Sequence, residues 1–104
     1  MTKRISFDFD GVLSIAAGRK LAEFKKGPDV ELWIVTARRI DWNDRVFEVA
    51  DELNIPHTRI IFTGGRDKWP FIERYQIAVH YDNNPDQIAE IKAKTTANAI
   101  IFKA

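Results

Sequence analysis

The sequence predicts an α/β fold in which a parallel sheet of about five strands carries helices on both faces. Two observations lead to this prediction. Five short runs of β-branched and aromatic residues are spaced along the chain, and segments with helical spacing of apolar residues separate them. Such alternation is typical of parallel strands joined by right-handed crossovers. The ligand site of such a sheet lies beyond the carboxyl ends of its strands.

The strands are predicted at residues 5–9, 30–36, 59–63, 77–81 and 99–102. Several are apolar on consecutive positions, as is typical of strands that are buried on both faces of a parallel sheet. A short apolar run does not by itself distinguish a strand from a buried piece of helix. The assignment therefore depends also on the helices between the runs.

The helices are predicted at residues 21–24, 42–53, 69–75 and 85–91. The second has the clearest pattern, because its apolar residues fall on one stripe opposite charged ones. That stripe consists of Trp42, Val46, Val49, Ala50 and Leu53. Gly27 and Pro28 end the first helix. Pro70 and Pro85 are compatible with a helix because each lies in a first turn.

Length and composition indicate one domain, residues 1–104, because 104 residues with 45% hydrophobic content can bury a core. The net charge of +1 favours neither a nucleic-acid binder nor a polybasic membrane anchor. The absence of cysteine excludes disulfides, thiolate metal sites and thiol nucleophiles. No apolar stretch approaches the roughly 20 residues that span a bilayer, and the first seven residues do not read as a signal peptide. A cytoplasmic location is the default expectation.

Asp8 and Asp10 follow the first apolar strand and precede Gly11, which can make a sharp exit turn. One strand residue apart, the two acids start on the same face and are expected to converge on the crevice. Neighbouring carboxylates repel each other and are costly to desolvate unless they share a cation or a proton. The pair therefore predicts a functional site. The alternative is two solvated loop acids.

Thr36 ends the second strand and is followed by Ala37, Arg38 and Arg39. A threonine hydroxyl at a strand end can donate to a phosphate oxygen, and either arginine can make a bidentate contact. This motif is weak alone, because a threonine in this place is more often a turn former or a helix cap.

Gly64, Gly65 and Lys68 follow the third strand. Paired glycines let backbone amides approach an anion, and the lysine adds a compact positive charge. The alternative, favoured when the motif is taken alone, is a flexible turn with a solvated lysine.

Asp82, Asn83 and Asp86 end the fourth strand and offer the hard oxygen donors that magnesium prefers. The alternative is a capped helix start, with Asn84 or Asp82 as the cap. The metal-ligand and the helix-cap interpretations can both be true, since different residues satisfy them. The four motifs arrive in order at the carboxyl ends of four successive strands, which favours one shared site.

With these motifs the chain resembles the haloacid dehalogenase-like phosphatase superfamily over essentially its whole length. The family's first motif is matched by DFDGVL at residues 8–13 and its second by Thr36 in WIVTARR. Lys68 matches the third motif, and YDNNPD at residues 81–86 matches the fourth. Short capless members, the capsule-biosynthesis phosphatase-like and nucleotidase-like proteins, are the most similar.

The resemblance implies a three-layer Rossmann-like fold and magnesium-dependent hydrolysis of phosphomonoesters. Asp8 would be the nucleophile that forms an aspartyl-phosphate, and Asp10 the general acid and base. The implied phosphate-binding and substrate-contacting residues are Thr36, Ala37, Lys68, Arg38 and Arg39.

The resemblance also implies a Mg²⁺ ion. Its ligands would be Asp8, the backbone carbonyl of Asp10, Asp82, and Asn83 or Asp86. The fourth motif departs from the family pattern, because Tyr81 stands where a glycine usually precedes the acid. Asn83 likewise stands where a second acid often follows.

The segments between the motifs are too short for a cap domain, so an open site suited to a large or extended substrate is expected, unless another subunit supplies a cap. Two alternatives remain at this point. One is a catalytically weak phosphate-binding or regulatory module of the same fold. The other is a nucleic-acid-end phosphatase within a larger complex. The natural substrate and the oligomeric state are left open.

Overall fold

In the computed structural model, which describes residues 2–104, five parallel strands form one sheet. The strands are β1 (Lys3–Phe7), β2 (Val30–Thr36), β3 (Ile60–Phe62), β4 (Val79–Asp82) and β5 (Asn98–Ile101). The helices are α1 (Ala16–Lys25), α2 (Val46–Glu52), α3 (Trp69–Arg74) and α4 (Pro85–Lys94). The predicted α/β fold class is confirmed, and no separate domain is inserted between these strands.

The strand order in the sheet is β3-β2-β1-β4-β5. The chain moves outward from β1 to β3 and then crosses over to β4 on the other side of β1. The order therefore reverses between β1 and β4, whose ends pair at Phe7 and Tyr81. The carboxyl ends of these two strands form the crevice where ligands of open α/β sheets bind.

Two apolar layers cover the sheet, one on each face, because successive strand residues point to opposite sides. Ile5, Phe7 and Ile34 belong to the layer that also contains the buried residues of α1 and α2. Trp33 and Val35 belong to the layer under α3 and α4. Helices thus lie on both faces of the sheet, as predicted.

Helix α2 begins at Val46, four residues after the predicted start. Arg45 has a left-handed backbone with φ of 65°, which interrupts the helix at that point. Trp42 is 55% exposed and does not join the core, so this part of the predicted apolar stripe was wrong. The other residues of the stripe are buried as predicted.

Helix α1 begins at Ala16, five residues before the predicted start. Ile15 precedes it and makes no side-chain cap, so the usual sequence signal for a helix start is missing. Gly18 lies inside the helix, where a side chain would collide with the carbonyl of Val12. The close contact explains a glycine that lowers the apparent helix propensity of this segment.

Strand β1 ends at Phe7, and residues 9–13 form a tight turn. Gly11 has φ of 78° and supplies the predicted exit turn. No helix within residues 2–104 is both long enough and apolar enough to cross a membrane.

Candidate functional site

A buried lysine joins two carboxylates at the crevice between β1 and β4. Lys68 Nζ lies 2.9 Å from Asp8 Oδ1 and 2.6 Å from Asp82 Oδ2. All three residues are buried: Lys68 is 3% exposed, Asp8 is 7% exposed and Asp82 is 0% exposed. Three residues predicted from separate motifs therefore meet in one ionic group.

The backbone of three elements places these side chains. The N–H of Asp8 donates to the carbonyl of Tyr81 at 2.9 Å, which extends the pairing of β1 with β4 by one residue. Asp82 is the last residue of β4, and Lys68 is the residue that precedes α3. A turn forms at Gly64 and Gly65, as the motif alone favoured, but Lys68 after it is buried rather than solvated.

The ionic group continues into the sheet through two residues that sequence reasoning missed. His80 Nε2 lies 2.9 Å from Asp82 Oδ2, and His80 Nδ1 lies 2.6 Å from Ser6 Oγ. Ser6 and His80 pair directly in the register of β1 and β4, and both are fully buried. The five residues Ser6, His80, Asp82, Lys68 and Asp8 are called the buried polar chain below.

Ser6 and His80 were overlooked because they lie inside runs that were assigned as apolar strands. A signal was present in the spacing. Each stands two positions before an acid of the site, Asp8 or Asp82, and therefore shares its face of the sheet. A polar residue within a buried strand requires a partner, and the nearest polar groups on its face are those acids.

The two carboxyl groups of the buried polar chain have opposite pKa shifts. Burial raises the pKa of Asp8 to about 6, against the attraction of Lys68, and the charge of Asp82 adds to the rise. Burial would also raise the pKa of Asp82, but the hydrogen bond from His80 and the charge of Lys68 outweigh it and lower that pKa. Asp82 is thus the permanent anion, and Asp8 is the group that gains or loses a proton near neutral pH.

Burial lowers the pKa of His80, although its hydrogen bond to Asp82 opposes the shift. The imidazole is therefore neutral at neutral pH. Since the Asp82 carboxylate can only accept, we assign the ring proton to Nε2. The Nδ1 atom then accepts from the hydroxyl of Ser6.

Asp10 lies outside the buried polar chain and has its own partner. Its two carboxylate oxygens accept from Arg38 Nε at 3.0 Å and Nη2 at 2.8 Å. Arg38 Nη1 also donates to the carbonyl of Asp44 at 2.9 Å. Asp8 and Asp10 do not share one cation as expected. Each acid is paired with a different basic residue.

The guanidinium of Arg38 is stacked as well as hydrogen-bonded. It lies 4.2 Å from the ring centroid of Trp42 and 4.8 Å from that of Phe9. Arg38 therefore fixes the loop after β2 against the turn after β1. Arg39 is exposed and pairs with Asp41 at 2.8 Å.

The loops that follow β2 and β3 bind each other through their backbones. The N–H of Gly64 donates to the carbonyl of Arg38 at 3.1 Å, and that of Gly65 donates to the carbonyl of Ala37 at 2.8 Å. These amides are therefore not directed at an anion, as the glycine pair suggested. Thr36 is fully buried, and its Oγ1 accepts from the N–H of Arg38 at 3.2 Å.

The residues after Asp82 form the capped helix start that the sequence allowed. Asn84 accepts from the N–H of Asp86 at 3.0 Å and so caps α4. Asn83 and Asp86 are exposed, and the side chain of Asn83 lies against Gly11. Across residues 2–104, no three His, Cys, Asp or Glu side chains form a group that could hold a metal ion.

A groove of about 520 Å³ opens at the carboxyl edge of the sheet. It is lined by Asp10, Ala37, Arg38, Arg39, Asp41, Trp42, Gly64 and Gly65. A larger depression of about 660 Å³ lies along the outer edge of β3, between Ile60 and Tyr75. The first lies beyond the carboxyl ends of β1, β2 and β3, at the edge where the fold class places ligand sites. Another cavity, of about 580 Å³, lies beyond the ends of β4 and β5 and is lined by Asn83, Ile101 and Phe102 among others.

Comparisons with known proteins bear on the fold. No family model matches the chain, and no curated protein matches it. A crystal structure described as a "putative NADPH:quinone reductase from bacillus thuringiensis" matches with a TM-score of 0.57 and 16% sequence identity. The match covers 98% of this chain and 37% of that one, so the chain spans little more than a third of the protein it resembles. At this identity the likeness shows a Rossmann-like α/β fold.

This comparison contradicts the family predicted from the motifs. The matched structure is described as a "putative NADPH:quinone reductase" and not as a haloacid dehalogenase-like phosphatase. The predicted membership, the phosphomonoester hydrolase activity and its aspartyl-phosphate intermediate are therefore corrected. The correction extends to the two alternatives, the catalytically weak phosphate-binding or regulatory module of that superfamily and the nucleic-acid-end phosphatase.

The predicted magnesium cofactor is corrected with them. The description of the matched protein names NADPH and no metal, and among residues 2–104 no three His, Cys, Asp or Glu side chains could hold a metal ion together. The physical reason lies in Lys68. Two carboxylates at neighbouring strand ends need a cation, and here the ammonium of Lys68 fills that role for Asp8 and Asp82. The same acids that suggested a metal are those that a buried lysine requires.

Proposed function

We propose that the groove at the carboxyl edge of the sheet binds a ligand of the nucleotide class, with an aromatic ring on Trp42 and a phosphate on Arg39. The observation that carries this proposal is Trp42 itself. Its large apolar ring is 55% exposed, yet its position is fixed beside the guanidinium of Arg38. An exposed and ordered aromatic surface in a groove is typical of a stacking platform.

The arrangement around Arg38 explains how this platform is held. Arg38 is bound by both oxygens of Asp10 and is 10% exposed in its side chain. A side chain fixed in this way limits the movement of the ring stacked on it. The conformational entropy lost when a planar ligand binds is therefore reduced.

Arg39 is the basic side chain of the groove that can reach a phosphate. Its pair with Asp41 is exposed on both sides, at 74% and 65% of the side-chain surface. Solvated pairs of this kind contribute little to stability, so Arg39 can exchange Asp41 for a phosphate oxygen at small cost. The proposal assumes a cytoplasmic location, where nucleotides are abundant.

Binding of ATP, NADPH and adenosine, measured by isothermal titration calorimetry, tests this proposal. Trp42→Ala should weaken the binding of all three by about fivefold or more, because stacking of one base contributes about 1–3 kcal/mol. Arg39→Gln should weaken ATP and NADPH and leave adenosine unchanged. Phe24→Ala, which removes another exposed aromatic ring from α1, is the matched control. The proposal is wrong if none of the probes binds, or if Trp42→Ala behaves like the control.

A second candidate is NADPH-dependent reduction of a quinone, which the likeness in fold favours. The turn after β1 differs from a dinucleotide-binding turn, since it contains two acids and one glycine in Asp8-Phe9-Asp10-Gly11. Oxidation of NADPH on addition of a simple quinone, followed by absorbance, tests this candidate directly. If NADPH binds but is not oxidised, the nucleotide-binding proposal stands and the quinone reductase candidate is excluded.

A further inference from the structure

We infer that His80 is a positioning residue that, held by Ser6, fixes the carboxylate of Asp82 and through it the ammonium of Lys68 against Asp8. This inference concerns the buried polar chain and does not depend on the ligand proposed above. Neither Ser6 nor His80 can touch a ligand, because both are fully buried within the sheet. Any effect of His80 on the crevice must therefore act through Asp82.

The contacts of Asp82 show how its orientation is set. Oδ2 accepts from Lys68 at 2.6 Å and from His80 at 2.9 Å, while Oδ1 accepts from the N–H of Asn84 at 3.0 Å. His80 lies on the same strand two residues earlier and approaches the carboxylate from within the sheet. Without His80, Oδ2 would keep only the Lys68 ammonium as its partner.

The sheet itself fixes the imidazole. Ser6 and His80 are directly opposed in the β1–β4 pairing, and the 2.6 Å contact between Oγ and Nδ1 holds the ring plane. Because the Asp82 carboxylate can only accept, Nε2 carries the ring proton, and Nδ1 is left to accept from the Ser6 hydroxyl. The orientation of Lys68 thus depends on a serine in a different strand.

The order serine, histidine, aspartate is shared with hydrolytic triads, but the geometry excludes that role. In such a triad the serine contacts Nε2 and the aspartate contacts Nδ1. Here the two ring nitrogens are used the other way round, and Ser6 is closed off from solvent. The hydroxyl of Ser6 orients a ring and is not a nucleophile.

Exchange of the Lys68 ammonium protons with water, measured by NMR on protein with ¹⁵N-labelled lysine, tests the inference. His80→Phe keeps a ring but removes both nitrogens, and we expect it to speed this exchange by tenfold or more. His80→Gln places an amide N–H near the position of Nε2 and should restore most of the protection. Ser6→Ala should give an intermediate rate, because the ring keeps its donor and loses its orientation.

Ile91→Val is the control, since it trims a fully buried side chain of the same apolar layer and removes no polar partner. A loss of global stability would speed hydrogen exchange at the backbone amides of β2 and at the Lys68 ammonium together. The inference is overturned if the folded His80→Phe variant exchanges its Lys68 ammonium protons at the wild-type rate. It is also overturned if exchange of the β2 amides in that variant becomes faster by the same factor as exchange at Lys68. Should His80→Phe not fold, Ser6→Ala decides: faster Lys68 exchange with unchanged β2 amides supports the inference, and an unchanged Lys68 rate overturns it.

Discussion

Lys68 is charged and almost completely enclosed, which is costly unless its partners compensate for the lost water. Asp8 and Asp82 supply that compensation at 2.9 Å and 2.6 Å. The three charges depend on one another, because removal of any one leaves another buried and unpaired. Such a group is weak evidence of net stabilisation, yet breaking it is strongly destabilising.

Lys68→Met should therefore lower the free energy of unfolding by about 3–5 kcal/mol, since it leaves two carboxylates buried beside each other. Urea denaturation followed by circular dichroism measures the change. Lys26→Met is the matched control, because Lys26 pairs with Glu23 at 3.1 Å on the surface. Its loss should cost less than about 1 kcal/mol. Equal losses in the two variants would show that Lys68 is not buried in solution.

Asp8 should make stability fall as pH rises from about 4 to about 6. Its folded pKa of about 6 exceeds the ordinary value of 3.8, so between these values the native state keeps a proton that the unfolded state has lost. The shift of about two units corresponds to about 3 kcal/mol. Asp82 acts the other way, and its contribution is lost only as pH falls below its ordinary value of 3.8.

Urea denaturation of the wild type and of Asp8→Asn, at intervals between pH 4.5 and 7, isolates the contribution of Asp8. The wild type should lose stability relative to the variant across this range, because the variant has no titrating group at position 8. Acids that lie away from the buried polar chain affect the stability of both proteins equally and cancel in the difference. A difference that stays constant with pH would contradict the raised pKa.

At the scale of single elements, the turn after β1 depends on a glycine for two reasons. Gly11 has φ of 78°, and the side chain of Asn83 lies where a Cβ would be. The turn sends the chain into α1 and leaves Asp8 in line with β1. Its conformation therefore sets where the first acid of the buried polar chain lies.

Gly11→Ala should lower the free energy of unfolding by about 2 kcal/mol or more, because the left-handed conformation alone costs an L-residue about 1–2 kcal/mol and Asn83 must also move. Thermal or urea unfolding measures the loss. Gly27→Ala is the control, since a methyl group there meets only the side chain of Val30, at 3.8 Å, and Gly27 has no positive φ. Similar losses at both positions would contradict the strained turn.

The accuracy of the predicted elements follows from how local their causes are. Strand β2 was predicted with its observed bounds, because a run of seven residues from Val30 to Thr36 is shaped by its own composition. The start of α2 was not, because Arg45 has a left-handed backbone and the carbonyl of the preceding Asp44 accepts from Arg38, which lies outside the predicted helix. No pattern within residues 42–53 contains that contact.

On the scale of the whole molecule, the sequence predicted the sheet and the meeting of Asp8, Lys68 and Asp82 at one edge. Parallel strands bring their carboxyl ends together, so order along the chain was sufficient for this. What each acid binds was not predictable in the same way. Pairing with an ammonium and pairing with a metal require the same acids, and only the position of Lys68 in space distinguishes them.

The sheet order predicts how stability is distributed across the molecule. β2 pairs with a strand on each side, whereas β3 has three residues and pairs on one side only within residues 2–104. Backbone hydrogen exchange should therefore be slow at Ile34 and Val35 of β2, where it reports global unfolding. On average, β3 amides should exchange tenfold faster or more, because an edge strand opens without unfolding the core.

Hydrogen exchange followed by NMR at two protein concentrations makes this test decisive. In the expected result, β3 stays less protected than β2 at both concentrations. Protection of β3 that equals that of β2 at the higher concentration and falls on dilution would show its outer edge paired with a second chain. Equal protection at both concentrations would contradict the argument, because the stability of β3 would then not depend on its place at the edge of the sheet.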